Sequence, residues 1–319
     1  MLKKLYRKLL RMKAVQDQLK AQASLPIQFY NCWEQANEDM YWQQFINARH
    51  LLDSHPEKRV AIYSVFGPRS IIGKTQADVK IFYTAENLKR LNFAEYTDHC
   101  LSDSSIDLAM GFEVFEDPRY VRFPLWMDYM FSADSTEDDI RRICAKLRYP
   151  EIGARQKFCC MVASNSADGL RDEMFNKISQ IARIDSSGRY LHNDDTLVTE
   201  CRDNKVEYLK RYLFNICPEN TAAYGYVTEK LFESISVGCI PIYWGAEIAD
   251  KDIVNEDAVI FWDRQTGGEK ALQKLSELYS NPKRLDEFVH QPRLTDDAET
   301  LIINKYKEIE SKLKMLINR

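Results

Sequence analysis

The chain has little of what would mark a metal centre, a disulfide scaffold, a membrane span or a nucleic-acid partner. Its eight cysteines, Cys32, Cys100, Cys144, Cys159, Cys160, Cys201, Cys217 and Cys239, form no Cys-x-x-Cys pair. Cys159, Cys217 and Cys239 sit in apolar strand-like runs, so buried free thiols in a reducing compartment are expected rather than disulfides or zinc. The five histidines show no metal-ligand spacing. No apolar run could cross a bilayer and no signal peptide is present, which predicts a cytoplasmic protein. A net charge of −4 gives no whole-chain argument for nucleic acid. Internal repeats and low-complexity linkers are absent too. What remains is 319 residues, 45% hydrophobic and 29% charged, the composition of a soluble globular protein with room for two domains.

Residues 1–22 stand apart. Lys3, Lys4, Arg7, Lys8, Arg11 and Lys13 alternate with Leu2, Leu5, Leu9, Leu10 and Met12, against the single acid Asp17. This predicts a basic amphipathic helix. It could lie on an anionic membrane surface, peripheral on the inner membrane face, or dock on the body of the protein or another subunit.

Residues 23–150 read as a first α/β domain. Strand-like runs cover Ile27 to Cys32, Arg59 to Phe66, Val79 to Thr84 and Ile106 to Met110, with a helix over Asn37 to Leu52. Glu86 and Asn87 follow one of these strands, where parallel sheets gather ligands; a solvated loop would read the same. Pro118 to Pro124 is extended and carries Arg119 and Arg122, and Thr136 to Leu147 is a helical connector. Residues 151–293 form a second α/β domain, opening on Lys157 to Ala163 and a helix from Arg171 to Ile181. Arg171 at that helix start suits a phosphate or simple exposure.

In this second domain the run Tyr212 to Cys217 ends in the polar loop Pro218-Glu219-Asn220. Thr228 is a good N-cap type opening a helix that keeps Leu231, Ile235 and Val237 on one face, and Gly238 closes it. Cys239 to Trp244 reads as a buried strand. Glu229 and Lys230 occupy the helix start, where backbone N–H groups favour an anion; capping plus a surface ion pair is the alternative. Ala258 to Trp262 is a last strand and Lys270 to Tyr279 a helix. Residues 294–319 read as a long C-terminal helix capped by Thr295 and able to cross back to the first domain.

Four segments together resemble family 10 of the glycosyltransferases, the α-1,3/4-fucosyltransferases, in its bacterial type. They are Phe82-Tyr83-Thr84-Ala85-Glu86-Asn87 with Asn92-Phe93; Pro118 to Trp126; Val162-Ala163-Ser164-Asn165 with Arg171 and Phe175; and Tyr224-Gly225-Tyr226-Val227-Thr228-Glu229-Lys230 through Gly245. They occur in the family's order over residues 79–250. Three positions depart from the pattern: Pro218 replaces a phenylalanine, Leu91 replaces a proline, and Asp185-Ser186-Ser187-Gly188 has lost one glycine.

The resemblance implies an α/β GT-B fold, two Rossmann-like domains facing a cleft, with acceptor on the N-terminal and GDP-fucose on the C-terminal one. It implies inverting transfer of L-fucose to a hydroxyl of N-acetylglucosamine, as in an N-acetyllactosamine-type glycan, or of the glucose of a related acceptor; α-1,3 linkage is favoured over α-1,4. By motif match Glu86 is the general base and Glu229 the carboxylate at the fucose ring. Arg171 and Lys230 hold the diphosphate, Asn220 and Tyr226 contact the donor, and Thr228 adds the helix start. Asn87 and Arg122 are acceptor-side candidates. No obligatory metal is expected, although a divalent cation could stimulate GDP departure. Another nucleotide sugar, or a non-catalytic sugar-binding role on the same scaffold, is the alternative.

Overall fold

The computed structural model describes residues 2–33, 40–114, 116–153, 155, 157–245 and 250–319, with the backbone alone for residues 2–11. The first residues of the helix expected from Asn37 lie outside the described residues. The chain divides into two compact units. One comprises Met1–Pro124, Ser132–Ser135 and Asn304–Arg319; the other comprises Leu125–Phe131 and Thr136–Ile303.

The first unit runs α1 (Leu2–Gln22), β1 (Ile27–Tyr30), α2 (Tyr41–Ala48), β2 (Val60–Tyr63), β3 (Val79–Tyr83), β4 (Leu108–Gly111) and β5 (Tyr120–Arg122). The five strands are parallel in the order β1-β2-β3-β4-β5. β1, β2 and β4 are buried along their whole length, the pattern of parallel strands covered on both faces. Tyr30, Tyr63, Phe82, Phe93 and Tyr96 fill a core that also takes in Val15 of α1.

Val15 shows why α1 is more than a free basic helix: only 2% of it is exposed. β1 is an edge strand, and its unpaired amides would be exposed or aggregation-prone. Gln22 Oε1 accepts from Phe29 N at 3.1 Å and Gln18 Oε1 from Asn31 N at 2.9 Å. Two glutamine side chains thus take the place of a neighbouring strand. The later half of the helix docks on the body, as one of the two sequence alternatives had it.

The second unit runs α3 (Leu125–Met130), α4 (Glu137–Arg148), β6 (Lys157–Met161), α5 (Leu170–Ile178), β7 (Ile184–Ser186), α6 (Thr196–Thr199), α7 (Lys205–Leu209), β8 (Tyr212–Ile216), α8 (Glu229–Ser236), β9 (Ile240–Tyr243), β10 (Ile260–Phe261), α9 (Glu269–Ser280), α10 (Pro282–His290) and the start of α11 (Ala298–Ile317). Its parallel sheet has the order β10-β9-β8-β6-β7. α5, α9 and α10 contribute Leu170, Met174, Leu275 and Phe288 to its main core.

Several boundaries differ from the sequence reading. Residues 125–131 and 136–150, grouped there with the first domain, belong to the second unit. The reason is α3: Trp126 stacks on Phe232 of α8 at 4.1 Å, and its indole N–H donates to Asp250 at 3.3 Å. Thr295 does not cap the last helix, which starts at Ala298; its N–H and hydroxyl donate to the carbonyls of Ile253 and Asp252. From Asn304 onward α11 belongs to the first unit, where Tyr306 Oη lies 2.8 Å from Tyr41 Oη and Glu310 pairs with Arg49 at 3.2 Å. α10 was not expected, although Asn281 caps it and Pro282 holds its first position. All eight cysteines are free thiols, seven of them buried.

Candidate active site

In the second sheet the chain leaves β6 for β7 on one side and returns to β8 on the other. Loops that diverge beyond the carboxyl ends of two such strands leave a crevice, the usual ligand position in open α/β sheets. Arg171, in the first turn of α5, ties those two loops together. Its Nη1 donates to Asn165 O at 2.9 Å and Asn165 Oδ1 at 2.6 Å, after β6. Its Nη2 donates to Asn220 Oδ1 at 2.9 Å and to Pro218 O at 3.5 Å, after β8. The exposed alternative is therefore corrected, for Arg171 is only 4% exposed. Every one of these acceptors is a neutral carbonyl oxygen, so the bonds orient the cation without neutralising it. Burial pulls its proton affinity below the ordinary range, and the Glu219 and Tyr190 charges oppose this.

The loop after β8 also carries Glu219, a residue the sequence reading passed over. Its carboxylate is fully buried. Oε1 accepts from Thr228 N at 2.8 Å and has Tyr243 Oη at 3.2 Å; Oε2 accepts from Thr228 Oγ1 at 2.7 Å and from Lys230 Nζ at 3.3 Å. All four partners donate, which suits the ionised form. Burial raises its proton affinity, opposed by Lys230 and the Thr228 bonds. Only its place between an apolar strand and a polar loop could have signalled it.

Thr228 holds the N-cap position of α8, yet its side chain makes no capping bond to the helix. The hydroxyl instead donates to Glu219 and accepts from Lys230 Nζ at 2.9 Å. The expected cap is thus a link between a buried carboxylate and the lysine two residues on. Lys230 also lies 3.3 Å from Glu229, and both side chains keep 18% exposure. Burial disfavours the Lys230 charge, but Glu219 and Glu229 together raise its proton affinity. For Glu229 burial is likewise the largest effect and is outweighed by Lys230 and Lys205, so its proton affinity falls. One charged edge of the ammonium and one of the Glu229 carboxylate therefore stay within reach of a ligand. Tyr226 is nearly buried, and its carbonyl lies 3.4 Å from Tyr243 Oη; Asn220 is exposed at the crevice.

Beside this cluster, Asp185 is committed to structure: Lys157 and Arg183 each pair with it at 2.8 Å and Tyr212 Oη donates at 3.0 Å. Gly188 is equally constrained, because a Cβ there would stand 2.1 Å from Ala163 O. The lost glycine of this turn leaves the required one in place.

In the first unit Glu86 follows β3. Its N–H donates to Thr84 Oγ1 at 3.1 Å, and its half-exposed carboxylate pairs with Arg90 at 3.1 Å. Asn87 is buried and its Oδ1 accepts from Lys89 N at 3.1 Å, so it shapes the turn that presents Glu86. Arg122 Nε donates to Phe112 O at 2.8 Å. Each unit thus gathers its own candidates: Glu86 and Asn87 beyond β3, with Arg122 closing β5, in the first; Arg171, Asn220, Tyr226, Thr228, Glu229 and Lys230 in the second. Among the described residues no group of three or more acids, histidines and cysteines is arranged to hold a metal.

Residues 152–306 match the family model described as glycosyltransferase family 10 (fucosyltransferase), C-terminal, and residues 27–129 match the α-(1,3)-fucosyltransferase FucT N-terminal domain. An α-(1,3)-fucosyltransferase FucT of Helicobacter pylori is 28% identical over 270 residues, 73% of this chain and 53% of that protein. The chain thus spans about half the length of this curated relative. A crystal structure of an α1,3-fucosyltransferase superposes with a TM-score of 0.63 at 22% identity, covering 93% of this chain and 92% of that one. A second, of an α1,3-fucosyltransferase with GDP-fucose, gives 0.59 at 19% identity, covering 92% and 90%. The fold is therefore GT-B, with two Rossmann-like α/β domains, and the chain belongs to glycosyltransferase family 10, the fucosyltransferases.

Proposed function

We propose that this chain transfers L-fucose from GDP-fucose to a hydroxyl of N-acetylglucosamine, or glucose, in a glycan acceptor, with inversion and α-1,3 linkage. The observation that carries the donor half is Arg171: a buried guanidinium at the strand-order reversal whose hydrogen-bond acceptors are all neutral. A diphosphate would supply the missing anion through charge-assisted bonds. The solved relative with GDP-fucose and the H. pylori relative's name favour fucose as the sugar.

In this reading the acceptor hydroxyl attacks the anomeric carbon from the face opposite GDP. Glu86 takes the hydroxyl proton as the new C–O bond forms, since an alcohol is a poor nucleophile while it keeps that proton. The bond from the anomeric carbon to the β-phosphate oxygen breaks and its electron pair leaves with GDP. Lys230 and Arg171 stabilise the charge that grows there, while Glu229 faces the oxocarbenium-like sugar. A divalent cation would add to that screening without being required. Residues 1–22 would hold the protein on the cytoplasmic face of an anionic membrane.

The test is GDP release from GDP-fucose in the presence of N-acetyllactosamine and related acceptors, with GDP-mannose and UDP-sugars as competitors and linkage assigned on the product. No release with any acceptor would end the reading; preference for another nucleotide sugar would redirect it.

A further inference from the structure

The first unit holds a cavity of about 650 Å³ with Glu86 in its lining. That lies within the roughly 300–1,000 Å³ of small-molecule sites and exceeds what one sugar ring needs. One wall is aromatic. Trp33 is 79% exposed, while Trp42, Trp126 and Trp262 are buried. The indole of Trp33 meets Phe66 edge-on at 5.0 Å, and Phe66 meets Phe93 edge-on at 5.9 Å. The Arg90 guanidinium lies 5.7 Å from the Phe93 ring centre and pairs with Glu86 at 3.1 Å. A continuous path of side chains therefore leads from an exposed indole to the candidate base.

An indole that stays in water while meeting one ring edge-on, at the wall of a cavity, marks a binding surface better than a core. The rest of the lining decides what it binds. Gln18, Asn92, Arg90 and Glu86 set polar groups around the rings. A lipid chain would be poorly matched to four polar or charged side chains, whose desolvation costs free energy. A pyranose presents one face of C–H bonds and an equatorial rim of hydroxyls. It can bury the C–H face on the indole while its hydroxyls keep polar partners.

We propose that Trp33, Phe66 and Phe93 form a second acceptor subsite, which seats the pyranose next to the residue whose hydroxyl meets Glu86. This rests on the acceptor role given to Glu86 above. The enzyme then selects acceptors of at least two sugars, and the docked α1, whose Ala14 and Gln18 line the same cavity, is a wall of that subsite.

The experiment compares steady-state kinetics on N-acetyllactosamine and on free N-acetylglucosamine. Trp33→Ala raises KM for the disaccharide about tenfold, leaves KM for GDP-fucose unchanged and spares the monosaccharide reaction. Trp33→Tyr stays close to wild type. An unchanged disaccharide KM in Trp33→Ala, or an equal loss on both acceptors, overturns the proposal. Binding is read separately, without donor, from the shift in tryptophan emission on adding the disaccharide, which Trp33→Phe abolishes. If the emission shifts but wild type transfers no fucose, the catalytic reading fails and the subsite stands. If wild type transfers fucose but the emission shifts only with anionic vesicles, the subsite fails and the surface faces a membrane.

Discussion

Thr228 and Glu219 are joined twice: the Thr228 amide donates to one carboxylate oxygen at 2.8 Å and its hydroxyl to the other at 2.7 Å. This two-point clamp fixes the chain entering α8, and the same hydroxyl then accepts from Lys230. A buried anion, a threonine and a cation thus set where the first turn of α8 presents Glu229 and Lys230.

Glu219 should therefore be among the costliest single substitutions in the second unit. Its loss leaves the Thr228 N–H and hydroxyl and the Tyr243 hydroxyl without their buried acceptor and takes one of two carboxylates from Lys230, at about 3–5 kcal/mol in all. Glu219→Ala is expected to lose on that scale in urea melts. Tyr243→Phe, which removes one 3.2 Å hydrogen bond to the same carboxylate, should lose about 1 kcal/mol. If Glu219→Ala proved as mild as Tyr243→Phe, the clamp would not be holding a charge.

Lys230 yields a prediction with a pH sign. In the wild type, Lys230 and Lys205 outweigh the burial of Glu229 and depress its proton affinity. A depressed acid contributes stability that is present above its unfolded value, about 4.3, and is lost as pH falls through the lower folded value. Lys230→Ala leaves the buried Glu219 and the partly exposed Glu229 without their shared cation. The folded value of Glu219, already raised by burial, then rises further, so its contribution is present below about pH 4.3 and is lost as pH climbs through the folded value. Melts at pH 5 and pH 8 should show a larger deficit for Lys230→Ala at pH 8. GDP affinity should also fall in this variant; equal deficits at both pH values and unchanged GDP binding would remove Lys230 from both roles.

These relationships mark what could be read from the sequence. Strands and helices around the donor loop were visible because alternating and 3.6-residue apolar patterns report which face is buried. Those patterns place Leu231, Ile235 and Gly238 correctly, since they pack or turn locally: Gly238 has φ +70° just past α8. Hydrogen bonds between loops leave no such period. Glu219 reads like any acid in a polar turn, and Arg171 suits exposure as well as a phosphate, because their partners lie 9 and 49 residues away. The amphipathic pattern of residues 1–22 likewise leaves docking on the body beside membrane binding, because the core that receives Val15 is built by residues far along the chain.

Glu86 separates chemistry from binding. Glu86→Gln keeps the shape and the Thr84 bond but removes the base, so turnover should drop about 100-fold or more, the scale of a lost acid–base group. GDP-fucose affinity should stay near wild type, because the donor candidates stand in the other unit. The check is a single-turnover rate beside a donor titration. Near-normal turnover would pass the base role to another group.

The N-terminal helix divides into two parts that different variants can separate. Gln18 and Gln22 satisfy edge amides of β1 and Val15 fills core, so deleting residues 1–22 would uncover a strand edge and an apolar hole. Such a deletion should destabilise the first unit by several kcal/mol, the sum of a large-to-small core loss and two unsatisfied amides. It cannot report on membrane binding alone. Replacing Lys3, Lys4, Arg7, Lys8 and Arg11 with glutamine removes charge from the earlier half and leaves the docked half intact. Each basic residue near an anionic surface contributes about 1 kcal/mol, so co-sedimentation with phosphatidylserine vesicles should collapse while the melting temperature holds. Sedimentation that survived the five substitutions would show that these charges do not carry the membrane binding.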